Sequence, residues 1–84
     1  MAQKPVKDRL AETLLNLEEI FGVDNEGCID VLLTREEIAN TIGTATESAI
    51  RLLSNLKKDG VIDLLGKKIK ILDINVLKNL SDGY

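Results

Sequence analysis

The side chains best equipped for chemistry in this 84-residue sequence are its cations. Six of the eleven lysines and arginines (Arg51, Lys57, Lys58, Lys67, Lys68 and Lys70) fall within residues 44–70. Only three acids stand there (Glu47, Asp59 and Asp63), so the segment carries +3. Residues 1–43 carry four cations against nine acids, a charge of −5, and residues 71–84 carry −1. Clustered cations hold phosphates, and that chemistry depends on the field within a Debye length of about 8–10 Å rather than on the total. The formal total of −3 therefore leaves a polyanionic partner open, although a net basic footprint is the usual sign of one. A Lys-rich segment also serves as a plain solvated face, and charge by itself does not separate the two.

Catalysis is poorly supplied. There is no His, and Cys28 is the only cysteine. That excludes His-based general acid–base chemistry, His or multi-Cys zinc sites, internal disulfides and Cys-ligated iron–sulfur clusters. Ser, Lys and Asp fall at no spacing that couples a nucleophile to a base. Cys28 sits in an apolar run and reads as core. No enzymatic activity, catalytic residue, metal site or cofactor is expected. The two aromatic residues, Phe21 and Tyr84, are too few for a platform on which single-stranded bases stack. No apolar run approaches the roughly 18 residues of a membrane span, and no signal peptide is expected. The composition suits one small domain, residues 1–84, in a reduced, cytoplasmic setting.

The elements that would position the cations follow from periodicity. Residues 5–21 read as a helix: Val6, Leu10, Leu14, Leu17 and Phe21 recur at spacings of three and four, with Ala11, Leu15 and Ile20 widening the stripe. Asp8, Arg9, Glu12, Glu18 and Glu19 fall on its polar face, and Gly22 is a plausible stop. Cys28–Leu33 is an apolar run that fits either a strand or the tail of a loop. Thr34-Arg35-Glu36-Glu37 is a capping box opening a helix with Ile38, Ala39 and Ile42 on one side, ending at Gly43. Thr44-Ala45-Thr46-Glu47 reads as a second capping box. The helix after it carries Ala49, Leu52, Leu53 and Leu56 and ends at Lys57-Lys58-Asp59-Gly60. Val61–Leu64 and Lys68–Leu72, separated by Leu65-Gly66-Lys67, predict a β-hairpin. Asp73 caps a short last helix, about 73–81, bearing Val76, Leu77 and Leu80, and the final residues are expected to fray.

Two helices joined by a short turn with Gly43 at the joint describe a helix-turn-helix over about 34–58. Small Ala39 and Ala49 let the helices approach. A hairpin directly after the second helix, over about 61–72, is what a winged helix adds, and Cys28–Leu33 taken as a strand completes its order: helix, strand, helix, helix, strand, strand. The predicted fold is α+β and mostly helical: a three-helix bundle with a helix-turn-helix, a β-hairpin wing and a short C-terminal helix.

The stretch Leu33–Leu72, LTREEIANTIGTATESAIRLLSNLKKDGVIDLLGKKIKIL, resembles the DNA-binding domain of Crp–Fnr transcription regulators. The matching pattern is Thr34-Arg35-Glu37-Ile38-Ala39, Gly43, Glu47, Arg51, Leu53, Leu56, Gly60, Ile62 and Gly66-Lys67. Arg9–Leu17, RLAETLLNL, is similar to the first helix of that domain. The resemblance covers nearly the whole chain. It implies a bacterial transcription regulator that binds double-stranded DNA sequence-specifically, with a recognition helix at about 46–58 in the major groove.

The resemblance implies base-reading roles for Glu47 and Arg51. Their chemistry fits, since Arg bonds guanine O6/N7 and Glu accepts from cytosine N4. Glu47, Ile50, Arg51 and Ser54 lie at i, i+3, i+4 and i+7, on one face opposite the apolar stripe. Glu47 and Arg51 also form an i,i+4 pair able to orient each other, although such pairs commonly decorate solvated faces. The sequence departs from the family at two positions. The cyclic-AMP branch has Arg where Thr46 stands, and the oxygen-sensing branch has Ser where Ile50 stands, so Thr46 and Ile50 are further candidate base readers. Ile50 either touches a thymine methyl or packs at the helix rim. Candidate phosphate contacts are Thr34, Arg35, Thr44, Ser54, Lys67 and Lys68, with Lys57 and Lys58 as weaker ones; such contacts position without specifying.

Full-length family members also carry a cyclic-nucleotide-binding-like β-barrel and a long dimerising helix, for which 84 residues leave no room. An excised C-terminal domain is therefore expected, mainly monomeric, where the full-length protein is a homodimer. Its half-site affinity is expected to be about micromolar, without the roughly 10²–10⁴ gain of a linked partner. RNA polymerase is a further candidate partner. The competing reading is a winged-helix protein-interaction module that reads no bases, which the acidic N-terminal half also suits.

Overall fold

The computed structural model describes residues 5–81, in the order α1 (Val6–Phe21), α2 (Arg35–Ile42), α3 (Thr46–Lys58), β1 (Ile62–Leu65), β2 (Lys68–Ile71) and α4 (Ile74–Ser81). The expectation of fraying ends concerns residues 82–84, outside the described range. α1 packs chiefly on α4, and α2 on α3. One core joins them: Leu10 and Leu14 of α1, Ile38, Ala39 and Ile42 of α2, Ala49, Leu53 and Leu56 of α3, Ile62 and Ile69 of the hairpin, and Leu77 of α4. With the hairpin after α3 as its wing, this is the winged-helix architecture that the sequence predicts.

α3 is stopped by a Schellman motif. The Gly60 N–H donates to Lys57 O at 3.0 Å and the Val61 N–H to Leu56 O at 2.9 Å, while Gly60 takes φ 77°. These bonds satisfy two of the carbonyls that a helix end leaves open. They also turn the chain directly into β1, so the wing starts from a fixed point on α3. β1 and β2 pair antiparallel with Leu65 opposite Lys68. The turn is therefore the two residues Gly66-Lys67, one shorter than predicted. Gly66 has positive φ and Lys67 does not, which is the type II′ pattern.

Four local expectations are corrected. Cys28–Leu33 forms no strand; it touches the sheet at one bridge, Cys28–Lys70. The Val31 N–H turns back to Ile29 O at 2.8 Å, a three-residue turn that takes the chain off the sheet edge. The second capping box does not form: Ala45 is the N-cap of α3 and no side chain caps it. The helix starts one residue later than the box requires, so Glu47 stands at N2 and cannot reciprocate. Ile20 and Phe21 do not join the core but are 71% and 48% exposed. α1 has 16 residues and α4 has 8, about 24 Å against 12 Å, so α4 leaves part of α1 uncovered. Asp8, expected on the polar face, is buried.

Candidate nucleic-acid interface

The apolar stripe of α3 fixes the helix's rotation. Ala49, Leu53 and Leu56 are buried, while Glu47, Ile50, Arg51 and Ser54 are exposed on the other side. Thr46, the first residue of α3, is half-buried. The spacing therefore does bring Glu47, Ile50, Arg51 and Ser54 to one face. The side chains of Glu47 and Arg51 do not pair, however, and neither side chain has a hydrogen-bond or ion-pair partner among the described residues. Both side chains are thus free to meet a ligand, and Glu47 is also free of the capping duty expected of it.

α2 opens with the capping box predicted at Thr34. The Thr34 hydroxyl oxygen accepts the Glu37 N–H at 3.1 Å, and the Glu37 carboxylate accepts the Thr34 N–H at 2.9 Å. These bonds hold the Glu37 carboxyl below its ordinary value, with a smaller contribution from the Lys67 charge. At Gly43, φ is 76° and ψ is 39°, the left-handed conformation. The Thr44 N–H then returns to Ala39 O at 3.0 Å, and half-buried Thr44 lies in the turn. The turn thereby sets α3 against α2, with Ala39 and Ala49 both fully buried.

The wing tip lies beside the start of α2. Arg35 Nη2 donates to Gly66 O at 3.1 Å, and one such bond leaves most of the five guanidinium N–H donors free. Thr34, Arg35 and Lys67 are thus neighbours, drawn from two segments about thirty residues apart in sequence. Lys67 is exposed.

The other wing cations are differently placed. The Lys68 ammonium is held by the Asp24 carboxylate. That hydrogen bond is the main cause of a lowered Asp24 pKa and a raised Lys68 pKa. Lys68 is therefore already engaged by a carboxylate. Lys70 lies across Gly27. Lys57 approaches Asp63 only to 3.9 Å, with both side chains well exposed, a contact of little energetic weight. Of the six cations counted within residues 44–70, Arg51, Lys58 and Lys67 face solvent without an ion pair among the described residues.

Sequence reasoning missed two residues here. Asp24 is one: its run Asp24-Asn25-Glu26-Gly27 carries an Asx-turn signal, but nothing local points to Lys68. Arg9 is the other. Its guanidinium reaches the α2–α3 turn, where Nη1 would lie 3.7 Å from a Cβ at Gly43. Among the described residues no helix is long and apolar enough to cross a membrane, and no group of three or more His, Cys, Asp or Glu could hold a metal.

The family profile of the Crp-like helix-turn-helix domain matches residues 8–80. The transcriptional regulator SdrP of Thermus thermophilus is 30% identical over 84 residues, covering 99% of this chain and 42% of that protein. Electron transport regulator A of Shewanella oneidensis is 34% identical over 85 residues, covering 96% of this chain and 33% of that protein. Among solved structures, a CRP/FNR-family transcriptional regulator from Thermus thermophilus superposes with a TM-score of 0.83 at 30% identity, over 94% of this chain and 41% of that one. The chain thus spans less than half the length of these relatives. A profile match over almost every described residue, on a helix-turn-helix followed by a wing, has one meaning: the chain belongs to the Crp-like helix-turn-helix family, the DNA-binding domains of Crp–Fnr transcription regulators.

Proposed function

We propose that this domain binds double-stranded DNA sequence-specifically, laying α3 in the major groove. The observation that carries the reading is the outer face of α3, where Glu47, Ile50 and Arg51 are exposed and without a polar partner among the described residues. A groove about 12 Å wide admits a helix presenting such a face. In this reading Arg51 bonds guanine O6/N7, Glu47 accepts from cytosine N4, Ile50 touches a thymine methyl and Thr46 reads at the helix start. Thr34, Arg35, Thr44, Ser54 and Lys67 contact phosphates and set the register. α2 begins at Arg35, and its open N–H groups add to that phosphate site. The role is binding, not catalysis. Its setting is the cytoplasm, within a longer regulator that works as a homodimer and meets RNA polymerase.

Fluorescence anisotropy tests this with labelled duplexes between about 50 and 200 mM salt. A family-like palindrome, a scrambled duplex and the Arg51→Ala variant make the comparison. The expected result is salt-sensitive binding that prefers the palindrome, with the preference lost in Arg51→Ala. No binding at low salt, even at high protein concentration, would overturn the reading in favour of a protein-interaction module.

A further inference from the structure

We propose that Asp24 is a positioning residue for DNA binding: it clamps the wing to the loop of residues 22–30, and Lys68 is its structural partner rather than a phosphate ligand. The proposal rests on the DNA-binding reading above. A two-stranded hairpin is marginal in water unless something packs against it, and this wing buries only Ile62 of β1 and Ile69 of β2. Those two side chains tie its inner face to the core, and the loop supports its edge. One Asp24 oxygen accepts the Glu26 N–H at 2.9 Å and the Cys28 N–H at 3.0 Å, which folds the loop into a tight turn. The Gly27 N–H closes that turn on Asp24 O at 3.0 Å. The other carboxylate oxygen takes the Lys68 ammonium of β2. Five residues after Asp24, the Ile29 N–H donates to Ile69 O at 2.8 Å.

The clamp therefore joins two segments 44 residues apart. Its Asp24 side chain is 15% exposed and its Lys68 side chain 35%. The outward end of the wing is held separately, by Arg35 on Gly66 O. Held at both points, the hairpin presents Lys67 in one place. Lys68 then contributes order to the wing and no phosphate contact.

The Ile29 amide crosses the joint between loop and wing, so its hydrogen exchange reports the clamp without DNA. Asp24→Asn keeps an amide oxygen for the turn and removes the charge. Lys68→Met removes the cation, and Lys68→Arg restores one. Expected are exchange at Ile29 about tenfold faster in Asp24→Asn and Lys68→Met, near wild type in Lys68→Arg, and unchanged at Leu53 inside α3. Both disruptive variants should also weaken duplex binding by the same factor with the salt slope unchanged, the double variant being no weaker than either single one.

Two results would overturn the proposal. One is unchanged Ile29 exchange in Asp24→Asn. The other is tighter duplex binding by Asp24→Asn together with a salt slope about one unit shallower in Lys68→Met, which would make Lys68 a phosphate ligand and Asp24 its internal competitor. If the wild-type domain binds no duplex, the positioning role falls together with the DNA reading, whereas Ile29 exchange still shows whether the clamp exists.

Discussion

The Thr34 hydroxyl has a duty in the fold and a donor to spare. Its oxygen accepts the Glu37 N–H, and its O–H remains a donor that a phosphate can take. Thr34→Ala should lower the stability of the domain by about 1 kcal/mol, the usual worth of an N-cap, read from urea midpoints. It should also weaken duplex binding more than that loss of folded protein explains. The reciprocal partner titrates. Glu37 is held below its ordinary value of 4.5 by Thr34, so its contribution is complete above that value and is lost as pH falls through the lower, folded-state value. The gap in urea midpoint between wild type and Glu37→Ala is therefore expected in full at pH 7. It should close as the pH drops below about 4. A gap that widened with acid would contradict the assignment. Arg51 sits at the other extreme, exposed and unpaired, so its replacement should leave the urea midpoint within about 0.5 kcal/mol of wild type.

At the scale of elements, the helix-turn-helix depends on one backbone conformation. Gly43 holds φ 76°, and a Cβ there would meet only Arg9 Nη1 at an ordinary 3.7 Å. Gly43→Ala has room for its methyl and fails for conformational reasons, at a cost of about 1–2 kcal/mol. A urea midpoint at the wild-type value would show that the turn relaxes freely. This turn was legible in the sequence because its signals are local: Thr34 with Glu37, Gly43, and Gly60 after the last turn of α3. What was not legible depends on neighbours. Cys28–Leu33 has the composition of a strand, but Val31 turns back on Ile29 and breaks the pairing. Thr44 and Glu47 have the spacing of a capping box, but the turn delays the helix by a residue. Ile20 and Phe21 continue an apolar period beyond the cover that a short α4 provides.

For the whole molecule, charge is the property that sequence reading distorts most. The basic segment within residues 44–70 is real in composition, yet Lys68 is bound by Asp24 from the acidic half and Lys70 lies over Gly27 in the loop that follows Asp24. No counting along the chain reveals a pairing across 44 residues. The candidate readers were legible, because a 3.6-residue period that buries Ala49, Leu53 and Leu56 must expose Glu47, Ile50 and Arg51. The proposed phosphate set was legible only in part. Lys67→Ala should reduce the salt slope of duplex binding by about one unit, measured by anisotropy. A slope identical to wild type would place the wing away from the backbone.

The claim at the centre is that the outer face of α3 reads bases, and selection from randomised duplexes tests it most directly. The wild-type domain should enrich one motif. Arg51→Ala should lose information at a guanine position within that motif, corresponding to about 1–3 kcal/mol of discrimination, and keep it elsewhere. No enriched motif from the wild type, or the same motif from both proteins, would contradict the account.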